Sequence, residues 1–384
     1  MKSSASVAST APRRAALHHL GSLSTWRGVI MLDTSPVAIA APVRVGLAVG
    51  AMLLVGGLAD LRAAGSFAAL GALTSAFCRP DPYRVRIGRL GAVGVALVVS
   101  VAVGGIVGAA DVPVEVEIVA ISLLAGAGAL VVGALRVAGP GVVVFVFAAT
   151  AAAASVTDGH SLARAVAAAA VGTVVGIAAS LAPWLTDSVR RGARRLAGRP
   201  VASSTAEAVA YESVWTSLAR MPHRDIAQSA ARIVVAAAIS ASAATAVGLE
   251  HPMWAAMGAV AALQGISYHL TVRRGAARLL GNLAGSVIAA VLLAIPLGYW
   301  GAVVVIVVCQ IIAETMATVS YAITSTAVTP MALMLTALSA GLTPAVAIDR
   351  VLDTLLGVIV GVAIAAATVA RTDTAHHPEH AARS

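Results

Sequence analysis

Asp353 is an ionisable side chain near the start of a long apolar run, residues 346–370. Arg350 precedes it by three residues and Asp349 by four, spacings that place all three on one face of a helix. A carboxylate inside a membrane costs free energy unless it is paired or protonated. Two interpretations stay open: an Arg350–Asp353 ion pair that satisfies itself, or an Asp353 that couples protons to transport while Arg350 tunes it.

Glu314 and His251 could also exchange protons. Glu314 lies one helical turn from Gln310, where it either couples protons or extends to the membrane surface. His251 is followed by Pro252 and Trp254. Because histidine changes charge near physiological pH, His251 is either an outward-facing proton acceptor or part of an aromatic belt at the interface.

Four polar or aromatic side chains could line a path for an organic anion: Trp254, Gln264, Thr271 and Arg278. Gln264 is expected deep in the membrane, where an amide needs hydrogen-bonding partners. Arg278 can present a guanidinium fork to a carboxylate. A plain anchoring role for Arg278 at the inner leaflet is the alternative.

The chain contains no phosphate loop, nucleophile triad or spacing typical of metal ligands. Cys78 and Cys309 both lie within or at the end of apolar runs, which disfavours a disulfide framework and a thiolate metal site. We therefore predict that the protein is not an enzyme and has no catalytic residues, no metal site and no cofactor.

The composition determines where these residues must be placed. Of 384 residues, 59% are hydrophobic and only 11% are charged, and the mean hydropathy is +0.92. Soluble domains keep about a quarter of their residues charged, so we predict an all-α integral membrane protein whose partner is the lipid bilayer. The net charge of +9 arises mostly from arginines between apolar runs. There it sets membrane orientation, and nucleic acid is not an expected partner.

Apolar runs that can cross about 30 Å of hydrocarbon recur along the chain. We predict about twelve transmembrane helices, near residues 38–58, 64–78, 88–109, 116–135, 140–156, 164–185, 228–248, 253–268, 275–295, 298–315, 319–338 and 346–370. Arginine-rich connections alternate with acidic ones, so the positive-inside rule puts both termini in the cytoplasm.

Five regions follow from this pattern. They are a cytoplasmic tail (1–36), a first transmembrane repeat (37–185), a cytoplasmic linker (186–226), a second transmembrane repeat (227–370) and a second cytoplasmic tail (371–384). The apolar spacing within the linker favours an amphipathic helix at the inner membrane surface.

The two halves resemble each other in sequence. The run Phe67-Ala68-Ala69-Leu70-Gly71 parallels Trp254-Ala255-Ala256-Met257-Gly258. Arginine-rich turns follow, ending at Arg89 and Arg278, and later Arg164 precedes Gly172 and Gly176 much as Arg350 precedes Gly357 and Gly361. Six crossings per half predict two parallel six-helix repeats, related by an axis along the membrane normal.

Several of these residues together resemble a known family. The motif of His251, Pro252 and Trp254, with Gln264, Thr271 and the arginines up to Arg278, is similar to the fusaric acid resistance/aromatic acid exporter family. So is the segment Arg350-x-x-Asp353-Thr354-x-x-Gly357. The resemblance covers the C-terminal half, and the N-terminal half looks like a degenerate copy with Phe67 in place of the tryptophan.

The resemblance implies a multi-pass protein of the bacterial plasma membrane that exports aromatic carboxylic acids or other amphipathic organic compounds, driven by the proton gradient. It implies a small organic anion as substrate. Two rivals stay open: a passive organic-anion channel, because plant malate channels resemble the same superfamily, and a non-transporting scaffold that presents residues 186–226 to a partner. A homo-oligomer is compatible with the sequence.

The topology is testable by thiol labelling of introduced cysteines in intact cells. Positions near Asp158 and Thr343 should react with an impermeant reagent, whereas a cysteine near Ser203 should not, because the arginine alternation places residues 186–226 inside. Labelling at Ser203 would overturn the arrangement of six helices on each side of the linker.

Overall fold

A computed structural model describes residues 39–196, 216, 223–264, 268–340 and 346–368. Within these residues the chain forms twelve α-helices and no strand. They are α1 (Ala40–Leu58), α2 (Arg62–Ala72, continued by a 3-10 turn at Leu73–Ala76), α3 (Tyr83–Ala109), α4 (Val114–Ala134), α5 (Val143–Ser155), α6 (Gly159–Leu196), α7 (His223–Ala246), α8 (Pro252–Leu263), α9 (Tyr268–Ala294), α10 (Gly298–Met316), α11 (Tyr321–Ala340) and α12 (Val346–Ala367).

Each predicted apolar run contains one of these helices, but their lengths differ. Nine of the described helices are long and apolar enough to cross a membrane. The other three, α2, α5 and α8, have 11, 13 and 12 residues. At 1.5 Å per residue they extend only about 16–20 Å, which is shorter than the hydrocarbon core. Twelve full crossings are therefore not confirmed, whereas an all-helical membrane fold is.

The short helices α2 and α8 lie inside the bundle. Every residue from Met253 to Leu263 is buried, and so is every residue from Gly65 to Ala72. A helix segment buried on all sides needs no polar face, which explains why both buried segments are mainly apolar and rich in alanine and glycine. Large apolar side chains of the long helices, such as Leu47, Val95 and Val304, point outwards instead, as contact with lipid requires.

Glycine seams hold the buried helices against their neighbours. A β-carbon at Gly357 of α12 would overlap the carbonyl oxygen of Ala255 in α8, and Gly361 lies against Ala259 one turn further along. In the first half, Gly172 of α6 lies in the same way against the carbonyl oxygen of Ala68 in α2. Small residues four apart thus let backbones approach closely, as membrane helices require.

The helix pairs of the first half recur in the second. The pairs α1/α2, α2/α6, α3/α5 and α3/α6 correspond to α7/α8, α8/α12, α9/α11 and α9/α12. The most extensive contacts between the halves are those of α10 with α1 and of α4 with α7. The two halves therefore have the same internal helix packing, and they also pack against each other.

The predicted boundaries of the linker are only partly described. Helix α6 continues to Leu196 and α7 begins at His223, so both helices extend into the region that was predicted as linker. The predicted amphipathic helix and both terminal tails lie outside the described residues, and their placement stays a prediction.

The α8–α12 seam should control stability. Replacing Gly357 by alanine puts a methyl group against the Ala255 carbonyl, and overpacking of this kind costs about 1–3 kcal/mol. We expect a melting midpoint in detergent several degrees below that of the parent protein. Gly91→Ala is the matched control, because nothing lies within 4 Å of the added carbon. Equal midpoints for the two variants would contradict a tight seam.

Candidate functional site

A cavity of about 410 Å³ lies where the two halves meet. Its wall includes the end of α2 and the start of α5 from the first half, and residues of α8 to α12 from the second. The volume falls in the range of sites for small organic ligands. The lining is mainly apolar, and its charged members are Arg79, Arg274, Arg278, Arg350 and Glu314.

Arg278 and Arg350 are buried in this wall without a salt-bridge partner among the described residues. Their exposed fractions are 4% and 2%, and neither forms a salt bridge within the part of the chain that the structure describes. Nε of both residues and Nη1 of Arg350 have no hydrogen-bond acceptor there. Because an uncompensated buried cation is costly, this pair of guanidinium groups creates a strong preference for an anion in the cavity.

Asn282 holds the helices that carry these arginines. Its amide nitrogen donates to the carbonyl oxygen of Arg350 at 2.8 Å, and its amide oxygen accepts from the Thr329 hydroxyl at 2.9 Å. The side chain is fully buried, so these contacts join α9, α11 and α12 at one point. The sequence analysis missed Asn282, although an amide one turn after Arg278 in an apolar helix was an available signal.

Trp254 reaches the cavity only through Arg350. The guanidinium carbon of Arg350 lies 4.8 Å from the centroid of the Trp254 ring, a cation–π contact that partly compensates the buried charge. The tryptophan ring also stacks on His251, with centroids 4.3 Å apart. These three predicted site residues therefore form one stack that runs from the start of α8 to the cavity wall.

Asp353, one helical turn after Arg350 in α12, is fully buried. Both of its carboxylate oxygens lack a hydrogen-bond donor among the described residues. No nitrogen of Arg350 lies within the 4.0 Å that defines a salt bridge, so the self-satisfying Arg350–Asp353 pair is not formed in this structure. A buried carboxylate in this position is costly when ionised, and a proton removes that cost.

Glu314 does have partners. It forms an ion pair with Arg79, and its carboxylate accepts a hydrogen bond from Gln310 Nε2 at 2.9 Å. Arg79 lies in the connection between α2 and α3, so the pair joins the two halves at the edge of the cavity. Glu314 is therefore buried within the protein instead of extending to the membrane surface.

Gln264 and Thr271 are close to the cavity but are not among its lining residues. With the amide oriented to suit its neighbours, Gln264 donates to the Pro140 carbonyl at 3.2 Å and accepts from the backbone N–H groups of Val142 and Val143 at 3.1 Å each. It thereby caps the start of α5. This orientation forms three bonds and gives up one of 3.4 Å from Arg274, so we prefer it. Thr271 is buried within α9.

Gly141 makes the contact with Gln264 possible. Its backbone has a φ of +80°, a conformation that favours glycine. A β-carbon there would also lie 2.6 Å from the nearest atom of the Gln264 amide group. The Gly-Pro-Gly connection before α5 is thus shaped around the amide at the end of α8.

Near the start of α8, His251 lies beside two carboxylates. Its Nδ1 is 3.9 Å from Asp349 Oδ2, and with Glu250 the three ligand atoms lie within 4.8 Å of one another. Burial lowers the pKa of His251, and the two carboxylates act in the opposite direction. These residues could hold a cation, but the described residues provide no further observation that indicates one.

Comparison with known proteins places most of this site within one family segment. The sequence model of the family described as fusaric acid resistance protein-like matches residues 235–364. The matched segment includes Trp254, Arg278, Arg350 and Asp353, and it confirms the resemblance that the sequence predicted there. No curated protein and no solved structure matches the chain.

Proposed function

We propose that this multi-pass membrane protein exports amphipathic organic anions, with aromatic carboxylic acids as the main class. One observation carries the proposal: Arg278 and Arg350 are buried in the wall of an otherwise largely apolar cavity, and neither forms a salt bridge with a carboxylate of the described chain. A substrate carboxylate supplies the missing negative charge, and a guanidinium binds it through paired, charge-assisted hydrogen bonds.

The rest of the cavity suits an aromatic body. Phe147, Met257 and Met331 contribute apolar surface, and methionine side chains adapt well to flat rings. Tyr321 closes another part of the wall, with the Arg274 guanidinium 4.3 Å from its ring centroid. A ligand with one anionic end and one apolar end therefore satisfies both parts of the wall.

We infer that the fold consists of two parallel six-helix repeats. The recurring helix pairs and the matching Gly172/Ala68 and Gly357/Ala255 contacts support this inference. In that register Ala165 occupies the position of Arg350 and Ala168 that of Asp353, whereas the sequence comparison had aligned Arg164 with Arg350. Arg164 is exposed. At these two positions, only the second repeat then carries charged residues. This difference between the repeats favours an asymmetric carrier over a symmetric channel.

We place the protein in the bacterial plasma membrane with both termini in the cytoplasm. In that orientation Asp349 and Asp353 lie towards the outer side, and Arg79 and Glu314 lie towards the inner side. The arginine alternation of the connections supports this assignment. The cavity lies between the two sets, where a substrate can be reached from either side in turn.

Asp353 is our candidate for proton coupling, tuned by Arg350. It is buried without a hydrogen-bonding partner in the described structure, four residues from Asp349 near the outer end of α12. It takes a proton from the outer side and releases it inside. Glu314 and His251 are secondary candidates, since Glu314 already has an ion pair and His251 lies outside the cavity wall.

Such an exchange is favoured by the membrane potential. One proton entering while one monoanion leaves moves two charges in the direction that an inside-negative potential drives. Each charge contributes about 2.3 kcal/mol per 100 mV. The exchange thus draws on both the potential and the pH gradient.

The anion site is tested with Arg278→Gln in proteoliposomes. Removing the guanidinium loses a charge-assisted interaction of about 1.5–3 kcal/mol, so we expect the apparent affinity for a labelled aromatic carboxylate to fall tenfold or more. Arg164→Gln is the matched control, because it removes an exposed arginine of the first half. Equal transport by both variants, at equal reconstitution, would contradict the proposed site.

Proton coupling is tested with Asp353→Asn. The amide preserves the shape of the side chain and removes no hydrogen bond, since the carboxylate has none in the described structure. We expect the variant to lose the acceleration of transport by a pH gradient while it retains substrate counterflow. Unchanged acceleration in a well-folded variant would rule Asp353 out and leave a passive channel or another coupling residue.

A further inference from the structure

A second, smaller cavity of about 220 Å³ lies at the end of the first half where α1 and α3 begin. We call it the inner basic pocket. Its lining residues are Ala41, Arg44, Val45, Ser75, Arg79, Tyr83, Arg86 and Ser180. We call the 410 Å³ cavity between the halves the transport cavity. The inner basic pocket is separate from it except at Arg79, which lines both.

Three arginines and no carboxylate line the inner basic pocket. Arg86 is buried, and within the described structure its guanidinium donates hydrogen bonds to backbone carbonyls, among them those of Asp81 at 2.8 Å and Ser180 at 3.4 Å. Arg79 is paired with Glu314, which lies on the far side, in the transport cavity. The pocket therefore contains more positive charge than the surrounding described residues compensate.

Arg44 and Arg79 lie close enough for their positive charges to repel each other. Burial and the neighbouring charge of Arg44 lower the pKa of Arg79 to about 10. The Nε atom of Arg79 is buried without an acceptor among the described residues. A multivalent anion in the pocket relieves the repulsion between these arginines and supplies the missing acceptors.

Two helix N-termini add to the positive potential. Helices α1 and α3 begin at the pocket, and neither has a side-chain cap or an acidic residue in its first turn. Helix N-termini carry a partial positive charge and free N–H groups, so acidic residues are usual there. Here Arg44 is the fifth residue of α1, and Arg86 is the fourth residue of α3. This arrangement is stable next to a bound anion.

The polar lining of the inner basic pocket favours a small anion with several acceptor oxygens. Hydroxyl groups of Ser75, Tyr83 and Ser180 lie among the arginines, and few apolar side chains are present. The Ser75 hydroxyl already donates to the carbonyl oxygen of Ala72 at 2.7 Å, which leaves the arginines as the main donors to an anion. A phosphate group offers several acceptor oxygens to several donors at once, and arginine binds it through paired hydrogen bonds.

We propose that the inner basic pocket is a phosphate-binding site, which takes the headgroup of an anionic phospholipid of the inner leaflet or a free phosphate ester. The site is independent of the transported substrate. Arg79 links the pocket to the transport cavity, because it lines both. A phosphate bound in the pocket would compete with Glu314 for the Arg79 guanidinium.

The test uses the full chain, purified in a neutral detergent and stripped of lipid. One arm titrates inorganic phosphate, and the other titrates a short-chain phosphatidic acid, both at constant ionic strength and with binding followed by calorimetry. Arg44→Gln should weaken binding about tenfold, which corresponds to about 1.4 kcal/mol. Glu314→Gln should tighten binding, because it removes the competitor for Arg79. Arg164→Gln should match the parent protein.

The outcomes separate the sources and the sites. Binding of both probes indicates recognition of the phosphate group itself, and binding of phosphatidic acid alone indicates a lipid headgroup site. The proposal is overturned if neither probe binds, or if Arg44→Gln binds as the parent does. It is also overturned if Arg278→Gln abolishes the signal while Arg44→Gln retains it, because the phosphate would then occupy the transport cavity. A failure of Arg278→Gln to affect aromatic acid transport bears only on the proposed function.

Discussion

A guanidinium group buried without a salt bridge is the constraint on which this structure depends. Arg350 lies in a wall of low polarity, where its charge is costly unless an anion arrives. The protein reduces that cost only in part, through the face of Trp254, and it keeps the residue in place through Asn282 and its bond to the Arg350 carbonyl. Under the proposed function, this charge is held ready for an anionic ligand.

The packing of the buried helices makes this position rigid. Gly357 lets α12 lie directly against α8, which brings Arg350 over Trp254 and places Asp353 behind it. Since α8 is short and buried on every side, it can end beside the cavity and leave Gln264 to cap α5 in the other half. The glycine seam, the aromatic contact and the cap therefore position one site between the two halves.

Much of this fold could be predicted from local sequence patterns. Apolar runs and small residues four apart can be recognised from residues that are close together in the sequence. The existence of the helices and the membrane class followed from them. Contacts between distant residues did not follow: Arg79 and Glu314 are 235 positions apart, and no periodicity indicates such a pair. The comparison of Arg164 with Arg350 was shifted by one residue, since sequence alone did not show which side chains meet α2 and α8.

The most direct test of the central claim is to locate a bound substrate. An aromatic carboxylate that carries iodine, soaked or co-crystallised with a transport-competent preparation, gives an anomalous peak at the iodine position. The account predicts this peak inside the 410 Å³ cavity, with the carboxylate directed at Arg278 and Arg350. A well-occupied iodine site elsewhere, with the cavity empty in protein that still transports the compound, would contradict it.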